Sequence, residues 1–375
     1  MNNTLHILHT ESSLGWGGQE IRILTESLAM LASGHRVTLV CPPEATLFAV
    51  ARQRGLPVIP LPIARKNLTG LRAMRGFLRA NPDTDVIITH SSTDCWLTAV
   101  ASLLIRRPPP MVRLRHISAP VPVNLPTRWL YATASRLVIT TGQGIRDRLI
   151  EVNGLQPDRV LSIPTGIDLE RFSPGDRDTA RARLNLPTDR PIIGIVATLR
   201  SWKGHLQLLE AFAALRHPTA ILAIVGDGPQ QEVLARRAAQ LSIPQHQFLM
   251  PGRQEDIPAW LRAMDIFVLP SYANEGVPQA LMQAMACGLP VISTPVGGIP
   301  EMVLHDQTGL LTPPKDPEAL RAAMAALLDD PQRCQRLAAR ALTHARERCS
   351  TAIMLEQMER ALRRVIEENG QRFPG

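Results

Sequence analysis

The part of the chain that most constrains the fold is residues 271–301, which read SYANEGVPQALMQAMACGLPVISTPVGGIPE. A loop that carries Glu275 runs into an apolar helix that can begin at Pro278, because proline is favoured in the first turn of a helix. Gly288 is a stop signal for that helix, and a short apolar strand over residues 291–293 follows it. Amides at the start of a helix carry partial positive charge, so the segment predicts an anion site beside one carboxylate. This combination suits a phosphate attached to a hydroxyl-rich group.

Strand-like and helix-like patterns alternate along the whole chain. Apolar runs that fit buried strands occur at residues 5–9, 37–40, 58–61, 86–89, 111–114, 137–140, 160–163, 192–197, 221–225, 248–251, 266–269 and 291–293. This βα repetition predicts parallel sheets that are covered on both faces, in an α/β fold. Because the chain has 375 residues, it fits two domains of usual size.

Ligands of parallel sheets bind at the carboxyl ends of the strands. In the first half of the chain, three polar clusters follow predicted strands, at residues 10–20, 89–91 and 115–118. In the second half, residues 197–204 and 271–277 do the same. These loops are therefore the candidate binding segments.

Three motifs together carry a resemblance to a known family. The sequence Glu275-Gly-Val-Pro, followed by Gln283-Ala-Met-Ala-Cys-Gly-Leu-Pro, resembles the donor-site signature of glycosyltransferase family 4, whose members have the GT-B architecture. Residues 17–20, GGQE, resemble the GGxE loop of that family, and residues 160–174 resemble its interdomain linker. The matching motifs are dense in the second half of the chain and sparse in the first.

The resemblance implies a GT-B fold with two Rossmann-like βαβ domains facing across a cleft. Residues 1–168 would form the N-terminal acceptor domain, residues 169–350 the nucleotide-sugar donor domain, and residues 351–375 a C-terminal helix that crosses back to the first domain. It further implies a retaining, metal-independent glycosyltransferase that moves a sugar from a nucleoside-diphosphate donor to a glycan or lipid-linked glycan. A bacterial lipopolysaccharide or another surface polysaccharide precursor is the acceptor class that we expect.

The resemblance also assigns donor-site roles in the second half. Glu275 would bind hydroxyls of the transferred sugar with help from the amides of Gly276 and Val277. Gln283 stands where the family usually has a ribose-binding glutamate, and its amide can still donate to and accept from a ribose diol. Arg253 would lie near the nucleotide base.

Departure of a nucleoside diphosphate builds negative charge, which cations and backbone donors must stabilise. Lys203 matches the family lysine that grips the diphosphate, but Thr198 stands at the position of the family arginine. We expect Arg200, two residues further on, to supply the second positive charge. No metal constellation and no cofactor motif are found, and the Asp83-Thr84-Asp85 triplet precedes a strand, at the end away from ligands.

In the first half, the resemblance places Gly17, Gly18 and Glu20 over the donor diphosphate and near the acceptor, although a plain tight turn is the alternative. It places His90 close to the transferred sugar, whereas a lone histidine at a strand end is more often structural.

A second set of residues in the first half suggests where an acceptor could bind. His116 is the alternative candidate to His90 for a functional histidine. With Arg113 and Arg115 nearby, it could belong to an acceptor site for phosphate or carboxylate.

Positive charge is concentrated in residues 1–168, which hold 18 Lys and Arg against 11 Asp and Glu. An anionic partner is therefore expected there, such as a phosphorylated saccharide, anionic lipid or nucleic acid. Residues 68–80 place Arg72, Arg75 and Arg79 along a helix beside apolar positions, which predicts either a solvated face or peripheral contact with an anionic inner membrane. Nucleic acid is disfavoured, because aromatic residues are only 4% of the chain.

Five cysteines form no CxxC pair, and the first 13 residues show no basic segment followed by a long apolar run. We therefore expect a reducing, cytoplasmic setting. Three alternative functions stay open: a sugar-nucleotide epimerase or phosphorylase on the same fold, a catalytically inactive sugar-binding relative, and a basic nucleic-acid-binding protein.

Overall fold

The computed structural model describes residues 4–372, with side chains from residue 4 to residue 370. The chain divides into two compact units. The first unit is the chain up to Gly166 together with the last helix, from Thr351 on, and the second unit is Ile167–Ser350. From the sequence we drew this boundary at residue 168.

The first unit contains a seven-stranded sheet within residues 4–166. Its strands are β1 (His6–Thr10), β2 (Arg36–Cys41), β3 (Val58–Pro60), β4 (Val86–Thr89), β5 (Met111–Arg115), β6 (Ser135–Thr140) and β7 (Val160–Ser162). They lie in the order β3-β2-β1-β4-β5-β6-β7, and neighbouring strands are parallel. The helices between them are α1 (Gly18–Ala32), α2 (Thr46–Gln53), α3 (Leu68–Ala80), α4 (Ser92–Leu103), α5 (Leu125–Trp129) and α6 (Gln143–Glu151).

The second unit contains a six-stranded parallel sheet. Its strands are β8 (Ile192–Val196), β9 (Ile221–Val225), β10 (Phe248–Gly252), β11 (Ile266–Leu269), β12 (Val291–Ser293) and β13 (Leu310–Leu311), in the order β10-β9-β8-β11-β12-β13. Its helices are α7 (Arg177–Arg183), α8 (His205–Leu215), α9 (Gln231–Gln240), α10 (Ile257–Ala263), α11 (Gln279–Ala286), α12 (Pro317–Asp329) and α13 (Pro331–Arg348).

The last helix, α14 (Thr351–Arg372), packs on the first unit. Its side chains Met354, Met358 and Leu362 are buried in the same cluster as the apolar residues of β1 and β2. No helix within residues 4–372 is both long and apolar enough to span a membrane.

All twelve predicted strands are present, so the prediction of two Rossmann-like α/β units is confirmed. The central strands of the second sheet are unbroken apolar runs, such as ILAIV in β9 and IFVL in β11, because helices cover both faces of the sheet. The sequence did not reveal β13, which has only two residues. Helix α11 begins at Gln279 with Pro278 as its N-cap, one residue later than predicted, and Gly288 ends it with a positive φ of 79°.

The strand order of each sheet reverses at one place, between β1 and β4 in the first unit and between β8 and β11 in the second. Connections on the two sides of such a switch point lead to opposite faces of the sheet, which leaves a crevice at the carboxyl ends of the strands. The loops that follow these four strands are therefore the ones positioned to bind a ligand.

Candidate functional site

Lys203 and Glu275 form an ion pair at the switch point of the second unit. The Nζ atom of Lys203 lies 2.6 Å from Oε1 of Glu275, and the Ser271 hydroxyl donates to the same oxygen at 2.7 Å. Lys203 follows β8 and Glu275 follows β11, and these strands are hydrogen-bonded neighbours. The Glu275 residue is only 4% exposed. A buried carboxylate therefore lies beside a cation where a ligand of this sheet would bind.

Close backbone contacts shape the loops around this pair. Gly226 has a φ of +145°, and a Cβ added there would lie 2.0 Å from the carbonyl oxygen of Ala197. Gly297 has a φ of +59°, and its added Cβ would lie 2.1 Å from the carbonyl oxygen of Glu275. Only glycine fits these contacts, so the loops after β8, β9, β11 and β12 are pressed together through their main chains.

The remaining donor-site candidates lie on other loops and on helix α11 of the second unit. Arg200 is exposed, and its guanidinium lies 5.8 Å from the ring centroid of Trp202. Gln283 is half-buried in α11, and Arg253 is exposed after β10. Gly276 and Val277 are buried and precede the helix, so their amides are not among those of its first turn.

His205, which the sequence did not reveal, lies next to this site at the start of α8. Its residue is 2% exposed, and neither ring nitrogen has a hydrogen-bond partner among residues 4–372. Burial, followed by the nearby charge of Lys203, lowers the pKa of His205 to about 4. The ring is therefore neutral at physiological pH and adds no positive charge to the loop.

At the switch point of the first unit, three histidines form a hydrogen-bonded chain. Nδ1 of His9 lies 3.0 Å from Nε2 of His90, and Nδ1 of His90 lies 3.0 Å from Nε2 of His116. Burial is the main cause that lowers the pKa of all three rings, so they are neutral at physiological pH. His90 is 3% exposed, and both of its ring nitrogens are bonded inside the protein. The half-buried end of the chain is His116.

Two buried carboxyl groups hold the loops around the histidines. Asp94 accepts hydrogen bonds from the His90 amide at 2.9 Å and from the Thr10 hydroxyl at 2.8 Å. Burial raises the pKa of Asp94 to about 6. This group ties the end of β1 to the start of α4.

Glu11 is the second of these carboxyl groups, and it is 0% exposed. It accepts from the Ser13 amide at 2.7 Å, from the Ser91 hydroxyl at 2.5 Å and from the Gln19 side chain. Burial, followed by repulsion from Asp94, raises the pKa of Glu11 to about 8. Glu11 is therefore largely protonated at neutral pH, and it ties Ser13 and Gln19 to Ser91, just after β4.

The GGQE motif, predicted as a loop, forms the start of α1, with Gly17 as the N-cap and Gly18 as the first helical residue. Glu20 is 6% exposed, and its carboxylate turns back towards the loop, within 3.7 Å of the place where a Cβ on Gly17 would be. The predicted contact of this loop with a ligand stays a prediction.

The predicted acceptor-site arginines are held by the protein itself. Arg113 donates to the carbonyl of Ser91 at 2.9 Å and lies 5.0 Å from the ring centroid of Tyr131. Arg115 donates to the Tyr131 hydroxyl at 3.4 Å and to the carbonyl of Ala119. The structure brings His90, His116 and both arginines to the carboxyl ends of β4 and β5, and each guanidinium group already donates to other groups of the protein.

The Asp83-Thr84-Asp85 triplet lies at the amino end of β4. Asp83 pairs with Arg36, and Asp85 accepts from the His6 amide at 2.7 Å. Within residues 4–372, no group of three or more His, Cys, Asp or Glu residues is arranged to hold a metal ion.

The residues that sequence reasoning missed are His9, Glu11, Asp94 and His205. Each of the first three also bonds to a side chain that lies 80 to 84 residues away in the chain, so no local motif predicts its full set of partners. Their position at or just after a predicted strand end, in the case of His9 and Glu11, is the signal that could have drawn attention to them.

Comparison with known proteins covers both units. The family described as Glycosyltransferase Family 4 matches residues 16–171, and the family described as Glycosyl transferases group 1 matches residues 176–344. D-inositol 3-phosphate glycosyltransferase 1 of Catenulispora acidiphila is 34% identical over 299 residues, which are 72% of this chain and 70% of that protein.

Two solved structures share the fold. Anabaena Alr3699/HepE in complex with UDP-glucose has a TM-score of 0.83 at 22% identity, covering 96% of this chain and 99% of that one. WaaG, a glycosyltransferase involved in lipopolysaccharide biosynthesis, has a TM-score of 0.73 at 16% identity, covering 95% and 99%. With both units matched and a relative of this identity and coverage, the chain belongs to glycosyltransferase family 4 and is a glycosyltransferase of GT-B type.

Proposed function

We propose that the chain transfers a sugar from a nucleoside-diphosphate sugar to a phosphorylated polyol or glycan. The observation that carries the proposal is the Lys203–Glu275 pair at 2.6 Å, set among close-packed glycine loops at the switch point of the second unit. Such a place offers a cation for phosphate and a carboxylate for sugar hydroxyls side by side.

The donor is bound by the second unit. Lys203 pairs with the diphosphate when the donor arrives, and Arg200, which is exposed beside the same loop, adds the second charge. Glu275 accepts hydrogen bonds from hydroxyls of the transferred sugar, whether or not its ion pair with Lys203 is kept. Gly276 and Val277 supply backbone contacts, Gln283 binds the ribose, and Arg253 lies near the base. The solved complex of Anabaena Alr3699/HepE with UDP-glucose, which has the same fold, supports this choice of donor class.

Charge stabilisation by side chains and backbone replaces a metal ion in this proposal. As the bond to the diphosphate breaks, negative charge grows on the leaving group, and fixed cations stabilise it without reorganisation. We propose that Lys203 and Arg200 do this, that no metal is required, and that the anomeric configuration is retained. Measurement of the anomer of the first-formed product by NMR tests the last point.

The acceptor is bound by the first unit, where positive charge exceeds negative charge. Gly17, Gly18 and Glu20 flank its switch point, and His116 is the half-buried end of the histidine chain. We propose that His116 contacts the reacting hydroxyl, that His90 acts through it, and that Arg115 helps to hold an anionic group.

Phosphate on the acceptor is supported by the name of the relative, D-inositol 3-phosphate glycosyltransferase 1. WaaG, which has the same fold, is a glycosyltransferase involved in lipopolysaccharide biosynthesis, and a lipopolysaccharide-type acceptor is included in this proposal. Because the first half of the chain is basic, the proposal is restricted to anionic acceptors. Nucleic acid is left out because aromatic residues are only 4% of the chain.

A peripheral contact with anionic lipid is a finer part of the proposal. Arg72, Arg75 and Arg79 on α3 are exposed and form no ion pair within the described residues. Leu68, at the start of the same helix, is 67% exposed and borders a groove of about 370 Å³ that is also lined by Lys66 and Trp96. Exposed cations next to apolar side chains suit headgroups of anionic lipid. Together with five free cysteines, this supports a location on the cytoplasmic face of a membrane.

The function is tested by donor binding and by acceptor-dependent turnover. Thermal shift across nucleoside diphosphates and their sugars should reveal stabilisation by one or a few of them, because a ligand of the native state raises the melting temperature. With that donor, release of nucleoside diphosphate should require a phosphorylated acceptor, with D-inositol 3-phosphate and free inositol as the first matched pair. Stabilisation by no nucleotide sugar, or release that is independent of any acceptor, would contradict the proposal.

A further inference from the structure

Three arginines are buried in the described part of the chain, and one of them lacks a counter-ion. Arg22 pairs with Glu26 at 2.6 Å. Arg181 pairs with Asp265, also at 2.6 Å. Arg113, on β5, is 4% exposed and forms no ion pair with a carboxylate of the described residues. Because a buried arginine without a partner loses its hydration and gains nothing in return, such residues are rare in proteins.

The protein offsets only part of the cost of burying Arg113. Nη1 donates to the carbonyl of Ser91 at 2.9 Å, and the guanidinium carbon lies 5.0 Å from the ring centroid of Tyr131. Nε is buried and has no hydrogen-bond partner among residues 4–370. Nη2 also has no hydrogen bond there, but it is not fully buried. One carbonyl and one aromatic face offset less of this cost than a carboxylate does.

Asp94 does not fill the place of the missing partner. Its carboxyl group lies close enough to favour the charged form of Arg113, but no hydrogen bond joins the two side chains. The oxygens of Asp94 accept instead from the His90 amide at 2.9 Å and from two hydroxyls at the end of β1. The N–H groups at Nε and Nη2 of Arg113 are therefore left without an acceptor.

Positive charge is in excess around Arg113. Burial is the main cause that lowers the pKa of His116, and three positive charges lower it further, those of Arg22, Arg113 and Arg115. Nη1 of Arg115 lies 3.4 Å from the Tyr131 hydroxyl, so both guanidinium groups contact the same side chain. An anion bound here would interact with two cations and would lie near His116, the half-buried end of the histidine chain.

We propose that an anionic group of the acceptor is the missing counter-ion of Arg113, and that Arg113 thereby selects phosphorylated acceptors. The planar guanidinium presents Nε–H and Nη2–H side by side, which matches two oxygens of a phosphate. Because Nη2 is not fully buried, a ligand reaches this edge of the group at Nη2. The assignment of the anion to the acceptor rests on the proposed function, whereas the anion site itself does not.

The first test compares melting temperatures of the full chain without donor or acceptor. Arg113→Met removes an unpaired charge, so this variant should melt at the wild-type temperature or above it. Arg181→Met is the contrasting variant, because it leaves Asp265 without its partner and should lower the melting temperature by several degrees. A lower melting temperature of Arg113→Met than of the wild type would show that the protein itself satisfies the guanidinium, and would overturn the proposal.

Inorganic phosphate is the probe of the anion site itself. At an ionic strength held constant with chloride, phosphate should raise the melting temperature of the wild type more than that of Arg113→Met. Arg107→Met removes an exposed cation that precedes β5, and this matched control should respond as the wild type does. Phosphate that binds to other cations contributes equally to all three chains. An equal rise in all three would overturn the proposal, whether or not the chain transfers a sugar.

Selectivity between acceptors tests the link to the proposed function. The pair to compare is the phosphorylated acceptor that supports turnover and its unphosphorylated analogue, with D-inositol 3-phosphate and free inositol as the first choice. Arg113→Met should lower kcat/KM for the phosphorylated acceptor about 10- to 100-fold, mainly through KM, and leave the analogue unaffected. Arg113→Lys keeps the charge but not the planar fork, so it should lose part of the selectivity. An equal loss with both acceptors would give Arg113 a structural role and contradict the proposal, while the transfer reaction itself would stand.

Discussion

In the second unit, backbone contacts hold the switch-point loops together, whereas in the first unit buried side chains fill the same place. Gly226 and Gly297 press main chain against main chain around the Lys203–Glu275 pair. His9 and His90, together with the carboxyls described above, bond to one another and are buried. Backbone loops leave cations near the surface for an incoming anion, but a side-chain network has already used most of its hydrogen-bonding capacity. We therefore expect the site of the second unit to be sensitive to side-chain atoms added at its glycines and to the loss of a charge. We expect the site of the first unit to be sensitive to the protonation of its buried groups.

The largest effect is expected from Lys203→Ala. It removes the cation that pairs with the buried carboxylate and, in the proposed function, with the diphosphate. Loss of one such stabilising group costs about 10²- to 10³-fold in kcat. Arg346→Ala, on an exposed face of the same unit, is the matched control and should keep full activity. Steady-state kinetics with melting temperatures measured alongside separate lost chemistry from lost folding, and near-native turnover of the Lys203 variant would remove this residue from the mechanism.

Backbone crowding is tested by Gly297→Ala. The new Cβ would lie 2.1 Å from the Glu275 carbonyl oxygen, so the loop must move away from the donor-site carboxylate. Strain of this kind costs about 1–3 kcal/mol, so donor affinity by calorimetry should fall about ten- to a hundredfold. Gly34→Ala is the control, because Gly34 also has a positive φ of 89° but nothing within 4 Å of its added Cβ. If both variants bound the donor equally well, the close contact would have no role in shaping the site.

Loss of the Glu11 proton should make the first unit less stable as pH rises. The folded-state pKa is raised to about 8, so the folded chain keeps a proton that the unfolded chain loses above the ordinary value of 4.5. The contribution of this proton to the free energy of unfolding is complete below pH 4.5 and is lost as pH approaches and passes 8. About 2 kcal/mol of it is lost between pH 6 and pH 8. Glu11→Gln keeps an uncharged side chain and should remove this part of the pH dependence in denaturant unfolding.

Glu44→Gln, at an exposed position of the same unit, is the control for Glu11 and should leave the pH profile unchanged. A wild-type profile in the Glu11→Gln chain would mean that Glu11 is ionised in the folded protein at neutral pH.

His205 is the counterpart in the second unit, with the opposite sign. Its folded-state pKa is lowered to about 4. The ring is therefore protonated near pH 6.5 in the unfolded chain but stays neutral in the folded chain until pH falls to about 4. Stability is therefore complete above pH 6.5 and is lost as pH falls towards 4, by about 1 kcal/mol between pH 6 and pH 5. His205→Leu should flatten this acid limb, whereas His246→Leu, at an exposed position of the same unit, should not. An unchanged acid limb in the first variant would place the ionisation elsewhere.

This difference between the units also explains what the sequence could predict. Local motifs predict the site of the second unit. Lys203 with Gly204, Glu275 with Gly276, and Gly288 at the end of a helix are each recognised from a few neighbouring residues. In the first unit, His9 meets His90 only because Thr10 of β1 pairs in register with Thr89 of β4. Contacts of that kind depend on the pairing of strands far apart in the chain. Periodicity therefore predicted the elements of both units, but it predicted the side-chain contacts of neither His9 nor Asp94.

The smallest effect is expected from the exposed face of α3, which lies outside both switch points. Arg72→Glu with Arg75→Glu reverses two exposed charges, and each arginine near an anionic membrane contributes about 1 kcal/mol of binding. Sedimentation with vesicles that contain anionic lipid should show weaker binding of this variant at low salt. Arg236→Glu with Arg346→Glu makes the same charge change on the second unit and should bind as the wild type does. If the wild type bound neutral and anionic vesicles alike, or if both variants lost binding equally, net charge or apolar contact would explain the association and α3 would be an ordinary solvated helix.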